Sequence, residues 1–146
     1  MDGALDELLR KTDATAALII DRGGPLVTER GQTKDLDTTT MAALAAGSFS
    51  ATQAFAERVG ETDFSSVYQQ GARSSILICM VDDALLMIVV FRAELGVGIM
   101  KHYAKTAVER IAVQLAKARE RAPTETVDLV SMNSFDAAEI FRKLGV

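Results

Sequence analysis

The stretch that decides the fold is SILICMVDDALLMIVVF, residues 75–91. It contains two apolar runs, 75–81 and 84–91, separated by Asp82-Asp83. Continuous apolar runs of this length, joined by two turn-forming residues, are typical of a buried β-hairpin. We therefore expect two strands of an antiparallel sheet here. The two acids are interpreted as the turn itself, because adjacent aspartates at a hairpin tip usually face water.

The flanking sequence predicts three more strands and three helices. A long central helix begins at Asp37 or Thr38, either of which can act as N-cap, and Gly60 stands where a left-handed residue would end it. The ranges outside the hairpin are helix 4–12, strands 14–20 and 26–30, helix 38–59, strand 65–70 and helix 97–120. The order α-β-β-α-β-β-β-α predicts an α/β (α+β) sandwich, a five-stranded antiparallel sheet with helices on both faces.

Length and composition indicate a single globular domain with a short tail. The chain has 146 residues, of which 49% are hydrophobic and 25% charged, and these fractions exclude general disorder. Because Pro123 ends the last helix, we divide the chain into a domain of residues 1–122 and a tail of residues 123–146. The tail carries an apolar stripe at helical spacing: Ala137, Ile140, Phe141 and Leu144. Such a short helix is marginal alone in water, so we expect the stripe to dock on a protein surface.

Several classes of function are excluded or disfavoured by what the chain lacks. A single cysteine, Cys79, rules out an internal disulfide and a cysteine-based zinc site, and a single histidine, His102, leaves little for metal chemistry. Gly96-Val97-Gly98 is only a fragment of a dinucleotide-binding loop, and no P-loop motif is present. A formal charge of −4 argues against a nucleic-acid partner. We expect no cofactor, no integral membrane segment, no catalytic site and a cytoplasmic location.

The central helix is unusual because residues 38–56 contain no charged side chain. A helical projection separates two opposite faces. The large side chains predict a core face: Met41, Leu44, Ala45, Ser48, Thr52, Phe55 and Val59. The other face is a strip of small residues leading to Glu57: Ala43, Ala46, Gly47, Ser50 and Ala54. Good helix propensity accounts for the alanines, but glycine and serine do not serve propensity, so we favour a protein-binding surface.

Three segments carry a family resemblance: AALIIDRGGPLVTERGQT, DTTTMAALAAGSFSATQAFAERVGE and FSSVYQQGARSSILI. With the order of elements, they resemble the roadblock (dynein light-chain type) domain over about residues 4–119, and within it the bacterial MglB-type partners of the Ras-like GTPase MglA. The resemblance implies a roadblock/profilin-like fold and a homodimer joined edge to edge through the strand that contains Ser66, Val67, Tyr68, Gln69 and Gln70. It also implies that the paired central helices form the GTPase-binding platform.

Two functions fit these features. The first is a dimeric GTPase-activating protein that reorganises the catalytic loops of a small Ras-like GTPase, with a role in cell polarity or motility. Its GTPase-binding residues would be Ala43, Ala46, Gly47, Ser50, Ala54 and Glu57. The second is a roadblock scaffold that binds partner proteins without stimulating GTP hydrolysis. An enzyme or small-molecule binder fits least, because no nucleophile-base pair stands out.

Overall fold

The computed structural model describes residues 1–121, so the predicted tail, with Ala137, Ile140, Phe141 and Leu144, lies outside the described residues. Residues 1–112 form one compact unit that contains all five strands of the described chain, and a second unit begins at Val113, in the final helix. The proposed division at residue 122 stays a prediction. The elements are α1 (Asp2–Thr12), β1 (Ala16–Asp21), β2 (Leu26–Gly31), α2 (Thr38–Arg58), β3 (Ser66–Gln69), β4 (Ser74–Met80), β5 (Leu85–Arg92) and α3 (Val97–Arg121).

The five strands form one sheet in the order β2-β1-β5-β4-β3, with every neighbouring pair antiparallel. The β4–β5 hairpin predicted from the apolar runs is confirmed. Its turn is closed by Asp82, whose Oδ1 accepts hydrogen bonds of 2.8 Å from the backbone N–H groups of Ala84 and Leu85. Among the described residues, 1–121, this order leaves β2 and β3 as the two free edges of the sheet.

Alternate residues of the strands point to opposite faces of the sheet, and each face is covered by helix. On one face, Leu18, Ile78 and Ile88 pack with Phe49 of α2 in a single apolar cluster. The residues that alternate with them, such as Ile19 and Leu77, are also fully buried, on the face that α1 and α3 cover. The buried side chains of those two helices are Ala4, Leu5, Leu8, Met100, Ala104, Ala107 and Ile111. The predicted sandwich with helices on both faces is therefore confirmed.

The ends of the long central helix also follow the sequence signals. Asp37 is the N-cap of α2: its carboxylate accepts hydrogen bonds from the Thr40 N–H at 3.2 Å and the Thr40 hydroxyl at 2.7 Å. Gly60 follows the C-terminal end with φ +84°, a conformation that favours glycine. Within residues 1–121, none of the helices has the length and hydropathy needed to cross a membrane.

Candidate partner-binding surface

The inward face of α2 consists of small side chains around one aromatic anchor. Phe49 is fully buried and packs against Phe64, with ring centroids 5.1 Å apart. The alanines on the same face allow the helix backbone to lie close to the sheet. The buried positions are Thr38, Ala42, Ala46, Phe49 and Ala56.

The predicted core face of α2 is wrong for its three largest aliphatic and aromatic members. Leu44 is 67% exposed, Phe55 69% and Val59 68%. The buried face lies between the two faces predicted from the projection, about a quarter-turn from each. Because residues 38–56 carry no charge that would mark the solvent side, the orientation of α2 was predicted from side-chain size alone. Size indicated one flank of the helix, whereas the side that packs on the sheet carries mostly small residues. The other four predicted core residues, Met41, Ala45, Ser48 and Thr52, are half-buried.

Five of the six predicted GTPase-binding residues, which are the small-residue strip and Glu57, are exposed. Ala43, Gly47, Ser50, Ala54 and Glu57 are exposed. Ala46 is only 5% exposed and belongs to the core, so its assignment to the surface was wrong. A Cβ placed on Gly47 would meet no atom within 4 Å, which means that the strip is open there. The exposed side of α2 therefore combines small residues on one flank with Leu44 and Phe55 on the other.

The β1–β2 turn borders the small-residue strip and holds α2 in place. Arg22 donates a 2.6 Å hydrogen bond from Nη2 to Oε1 of Gln53, and its guanidinium carbon lies 5.3 Å from the centroid of the Phe49 ring. Gly24 lies next to the helix, since a Cβ built on it would be 3.8 Å from the Ala43 Cα. The strip thus has a fixed rim on this side.

An apolar groove of about 390 Å³ lies on the opposite flank of α2, toward β3 and β4. Leu44 of α2 and Gln69 of the edge strand β3 both line it. The full lining is Met41, Leu44, Ala45, Ser48, Gln69, Ile76, Ile78 and Ile88. The groove exposes apolar surface of α2 and of the sheet together, beside the free edge of β3.

The two free edges of the sheet differ in their protection. The β2 edge follows Pro25, has a register shift opposite Ile19 and Ile20, and carries Arg30 in an ion pair with Asp6 at 2.8 Å. Such features hinder pairing with another strand. The β3 edge, Ser66–Gln69, has no charge, no proline and no register shift. Gln70, predicted as part of this strand, follows its last residue.

The single cysteine, Cys79, lies on β4, and the single histidine, His102, lies on α3. Burial raises the pKa of the Cys79 thiol to about 11, so the thiol is protonated at neutral pH and is a poor nucleophile. His102 is exposed on α3 and contacts the ring of Tyr103 edge-on. Among residues 1–121, no three His, Cys, Asp or Glu side chains stand close enough together to hold a metal ion.

Comparisons with known proteins agree with this architecture. The family model of the Roadblock/LC7 domain matches residues 2–91. A search among curated proteins returns no significant match. The solved structure of Myxococcus xanthus MglB is 26% identical, with 79% of this chain and 94% of that chain covered at a TM-score of 0.75. The gliding protein MglB from Thermus thermophilus is 33% identical, with 76% and 84% covered at a TM-score of 0.71.

The fold is also shared more widely. Acanthamoeba castellanii profilin IA matches at 14% identity and a TM-score of 0.56, with 77% of this chain and 96% of that chain covered, a likeness of fold alone. The five-stranded sheet, the single helix on one face and the extent of the family match lead to one conclusion: this chain is a member of the Roadblock/LC7 domain family.

Proposed function

We propose that this protein is a homodimeric regulator of a small Ras-like GTPase of the MglA type, which it binds through the exposed side of α2 and whose GTP hydrolysis it stimulates. Membership of the roadblock family and the likeness to MglB structures support a regulator of small GTPases in general. The single observation that carries the proposal is the charge-free exposed surface of α2, which covers the length of the helix up to Glu57.

That surface is unusual for a helix facing water. A solvent-exposed helix ordinarily carries Lys, Glu or Arg on its outer side, whereas α2 has none between residues 38 and 56. Its outer side carries Leu44 and Phe55 next to Gly47, Ser50 and Ala54. Contiguous exposed apolar surface of this kind marks an interaction site, and small residues allow a second backbone to approach closely. A protein partner therefore accounts for both flanks of α2.

The two flanks suit two different contacts. The flank with Leu44 adjoins the apolar groove and the unprotected β3 edge, where a second copy of the chain would join the sheet. Such pairing would bring two α2 helices together and leave their small-residue strips facing outward. The GTPase-binding residues of the proposal are then Ala43, Gly47, Ser50, Ala54 and Glu57, with Ala46 beneath them in the core.

The proposed activity requires no catalytic residue from this chain. GTP hydrolysis depends on positioning the attacking water and stabilising charge on the transferred phosphoryl group, and the GTPase's own loops can supply both when a partner orders them. A smooth, uncharged platform fits the role of ordering such loops. We expect the regulator to act in the cytosol and the 123–146 tail to make a second contact with the GTPase through Ala137, Ile140, Phe141 and Leu144.

Single-turnover GTP hydrolysis by the cognate GTPase, measured with and without this protein, tests the proposal. We expect the hydrolysis rate to rise with the concentration of this protein and to saturate when its binding is complete. Binding without any change in rate would support the scaffold function and overturn the proposed activation. Absence of binding to the GTPase would overturn both.

A further inference from the structure

The backbone groups of β3 that face the free edge can be identified from one hydrogen bond. The N–H of Met80 donates to the carbonyl of Ser65 at 2.9 Å, which makes these residues a hydrogen-bonded pair at the start of the β3–β4 ladder. Hydrogen-bonded and non-hydrogen-bonded pairs alternate along antiparallel strands. The register Val67↔Ile78 and Gln69↔Ile76 therefore continues the hydrogen-bonded set. It follows that the N–H and C=O groups of Ser66 and Tyr68 point away from β4, toward the free edge of the sheet. The same holds for Gln70 when the strand extends by one residue.

This alternation restricts how two copies can pair. In an antiparallel pairing with two-fold symmetry, a residue whose backbone groups point to the free edge must lie opposite another such residue. Only these residues have backbone N–H and C=O groups available for bonds between the copies. A symmetry axis that passed between Val67 and Tyr68 would place Val67 of one copy opposite Tyr68 of the other. The N–H and C=O groups of Tyr68 would then have no partner, because those of Val67 point toward β4. The axis must therefore pass through Val67, Tyr68 or Gln69.

These three registers differ in the number of hydrogen bonds they can form. An axis at Tyr68 pairs Tyr68 with its own copy, which gives two bonds, and pairs Ser66 with Gln70 on both sides, which gives four more and requires the strand to extend by only one residue past Gln69. An axis at Val67 needs Phe64 to extend the ladder, but Phe64 packs on Phe49 on the α2 face of the sheet, out of alternation with Ser66 and Tyr68. An axis at Gln69 needs residue 72, which lies in the bend before β4. Each of these two registers retains four bonds.

We propose that two copies of this chain pair through β3 with the symmetry axis at Tyr68, so that Ser66 of each copy opposes Gln70 of the other. The inference rests on the proposed homodimer and specifies its register. In this arrangement Val67 of the second copy lies opposite Gln69, on the α2 face of the sheet. Gln69 is exposed and lines the apolar groove, so the second copy would place an apolar side chain beside a groove-lining residue. Tyr68 stays on the other face, where it stacks on Phe91 at 6.2 Å with an interplanar angle of 13°.

Disulfide trapping distinguishes the three registers in the full chain. The background variant is Cys79→Ala, which removes the native thiol that pairs in register with Ser66. Cysteines directly opposite each other have Cα atoms about 4.5–5.5 Å apart, within the range that a disulfide spans, whereas diagonal neighbours are roughly 7–8 Å apart. We expect Tyr68→Cys to cross-link to itself in most chains under mild oxidation, and Val67→Cys and Gln69→Cys each to remain uncross-linked alone.

A second combination retains Tyr68, in case its loss from the Phe91 stack disturbs the fold. Val67→Cys and Gln69→Cys chains with different tags, co-expressed in the Cys79→Ala background, should cross-link to each other as heterodimers. If Val67→Cys or Gln69→Cys cross-links to itself in a protein of dimeric mass, the Tyr68 register is wrong. The proposed homodimer would still be supported by that result. If sedimentation shows the Cys79→Ala chain to be a monomer at micromolar concentration, the proposed homodimer itself fails.

Discussion

Arg22, in the turn between β1 and β2, reaches across to α2 and donates a 2.6 Å hydrogen bond from Nη2 to Oε1 of Gln53. The bond joins residues 31 positions apart in sequence and is half-buried. It ties the turn to α2 at Gln53, which lies between the buried Phe49 and the exposed Ala54 on the helix surface. The distant turn therefore adds to the core contacts that hold the small-residue strip in its orientation.

We expect Arg22→Ala and Gln53→Ala each to lower the free energy of unfolding by about 1 kcal/mol, because each leaves a half-buried polar partner unsatisfied. The double variant should cost less than the sum of the two, since the same bond is removed only once. Urea unfolding of the four proteins measures the coupling. Strict additivity would show that the bond contributes nothing to holding α2.

Ser50→Arg combined with Ala54→Arg should abolish binding to the GTPase and stimulation of its activity. Both positions are exposed, so the free energy of unfolding should change by less than about 0.5 kcal/mol and dimer mass should be unaffected. An interface loses contact when long charged side chains must be desolvated in it. Titration of the GTPase in the GTP-bound state measures the loss.

Ala46→Arg is the matched control for that pair, because residue 46 lies on the same helix but in the core. Its overpacking and buried charge should cost more than about 3 kcal/mol and unfold the domain. If the protein that carries both Ser50→Arg and Ala54→Arg remains folded and binds the GTPase normally, the partner-binding surface lies elsewhere.

Ser66→Pro should weaken the dimer while leaving the protomer folded. The Ser66 N–H points away from β4, so proline removes a bond only in the pairing between copies, once on each side of the axis. At about 0.5–1.5 kcal/mol for each of the two bonds, the dimer dissociation constant should rise roughly 5- to 150-fold. Sedimentation over a range of concentrations measures the change.

Val67→Pro provides the contrast, since Val67 donates toward β4 within the protomer. It should lower the melting temperature, whereas Ser66→Pro should lower it much less at concentrations where the dimer is intact. Equal melting temperatures for the two variants would contradict the assigned alternation of the β3 backbone groups.

Gly47→Ala and Gly31→Ala should change stability in opposite directions. Gly47 is helical and has open space around its Cα, so alanine should stabilise the protein by about 0.5–1 kcal/mol. Gly31 has φ +95°, and a Cβ there would stand 2.6 Å from the Thr15 carbonyl oxygen, so alanine should cost about 1–3 kcal/mol or more. Thermal unfolding of both variants gives the sign directly. Destabilisation by Gly47→Ala would show that the strip is packed against something in the free protein.

Asp37→Ala should lower the melting temperature at neutral pH and lose that effect in acid. The hydroxyl and then the N–H of Thr40 hold the pKa of the Asp37 carboxyl below its ordinary value of 3.8. A carboxyl with a lowered folded pKa stabilises the protein above its unfolded pKa, and the contribution disappears as the pH falls through the folded pKa. The difference in melting temperature between the wild type and Asp37→Ala should therefore be constant above about pH 5 and shrink below pH 3.8. Asp35→Ala, which removes an exposed carboxylate outside the cap, is the control and should leave the melting temperature nearly unchanged at neutral pH.

The sequence by itself determined the features that depend on neighbouring residues. The β4–β5 hairpin, the N-cap at Asp37 and the end of α2 at Gly60 were all predicted, because turn chemistry, capping and apolar periodicity act over a few positions along the chain. The charge-free character of α2 was visible for the same reason. These local signals were sufficient for the order of elements and for the sandwich architecture.

Only the tertiary structure decided which way α2 faces and which groups β3 leaves free. Phe49 is buried and Phe55 is exposed, although both are phenylalanines on the same helix. The difference arises because Phe64 and Arg22, which belong to other parts of the chain, pack against Phe49. The direction of the β3 backbone groups likewise follows from the bond between Ser65 and Met80, which exists only once the strands have paired. The orientation of α2 and the direction of the β3 backbone groups are both set by contacts between separate elements. The periodic pattern within one element therefore cannot predict them.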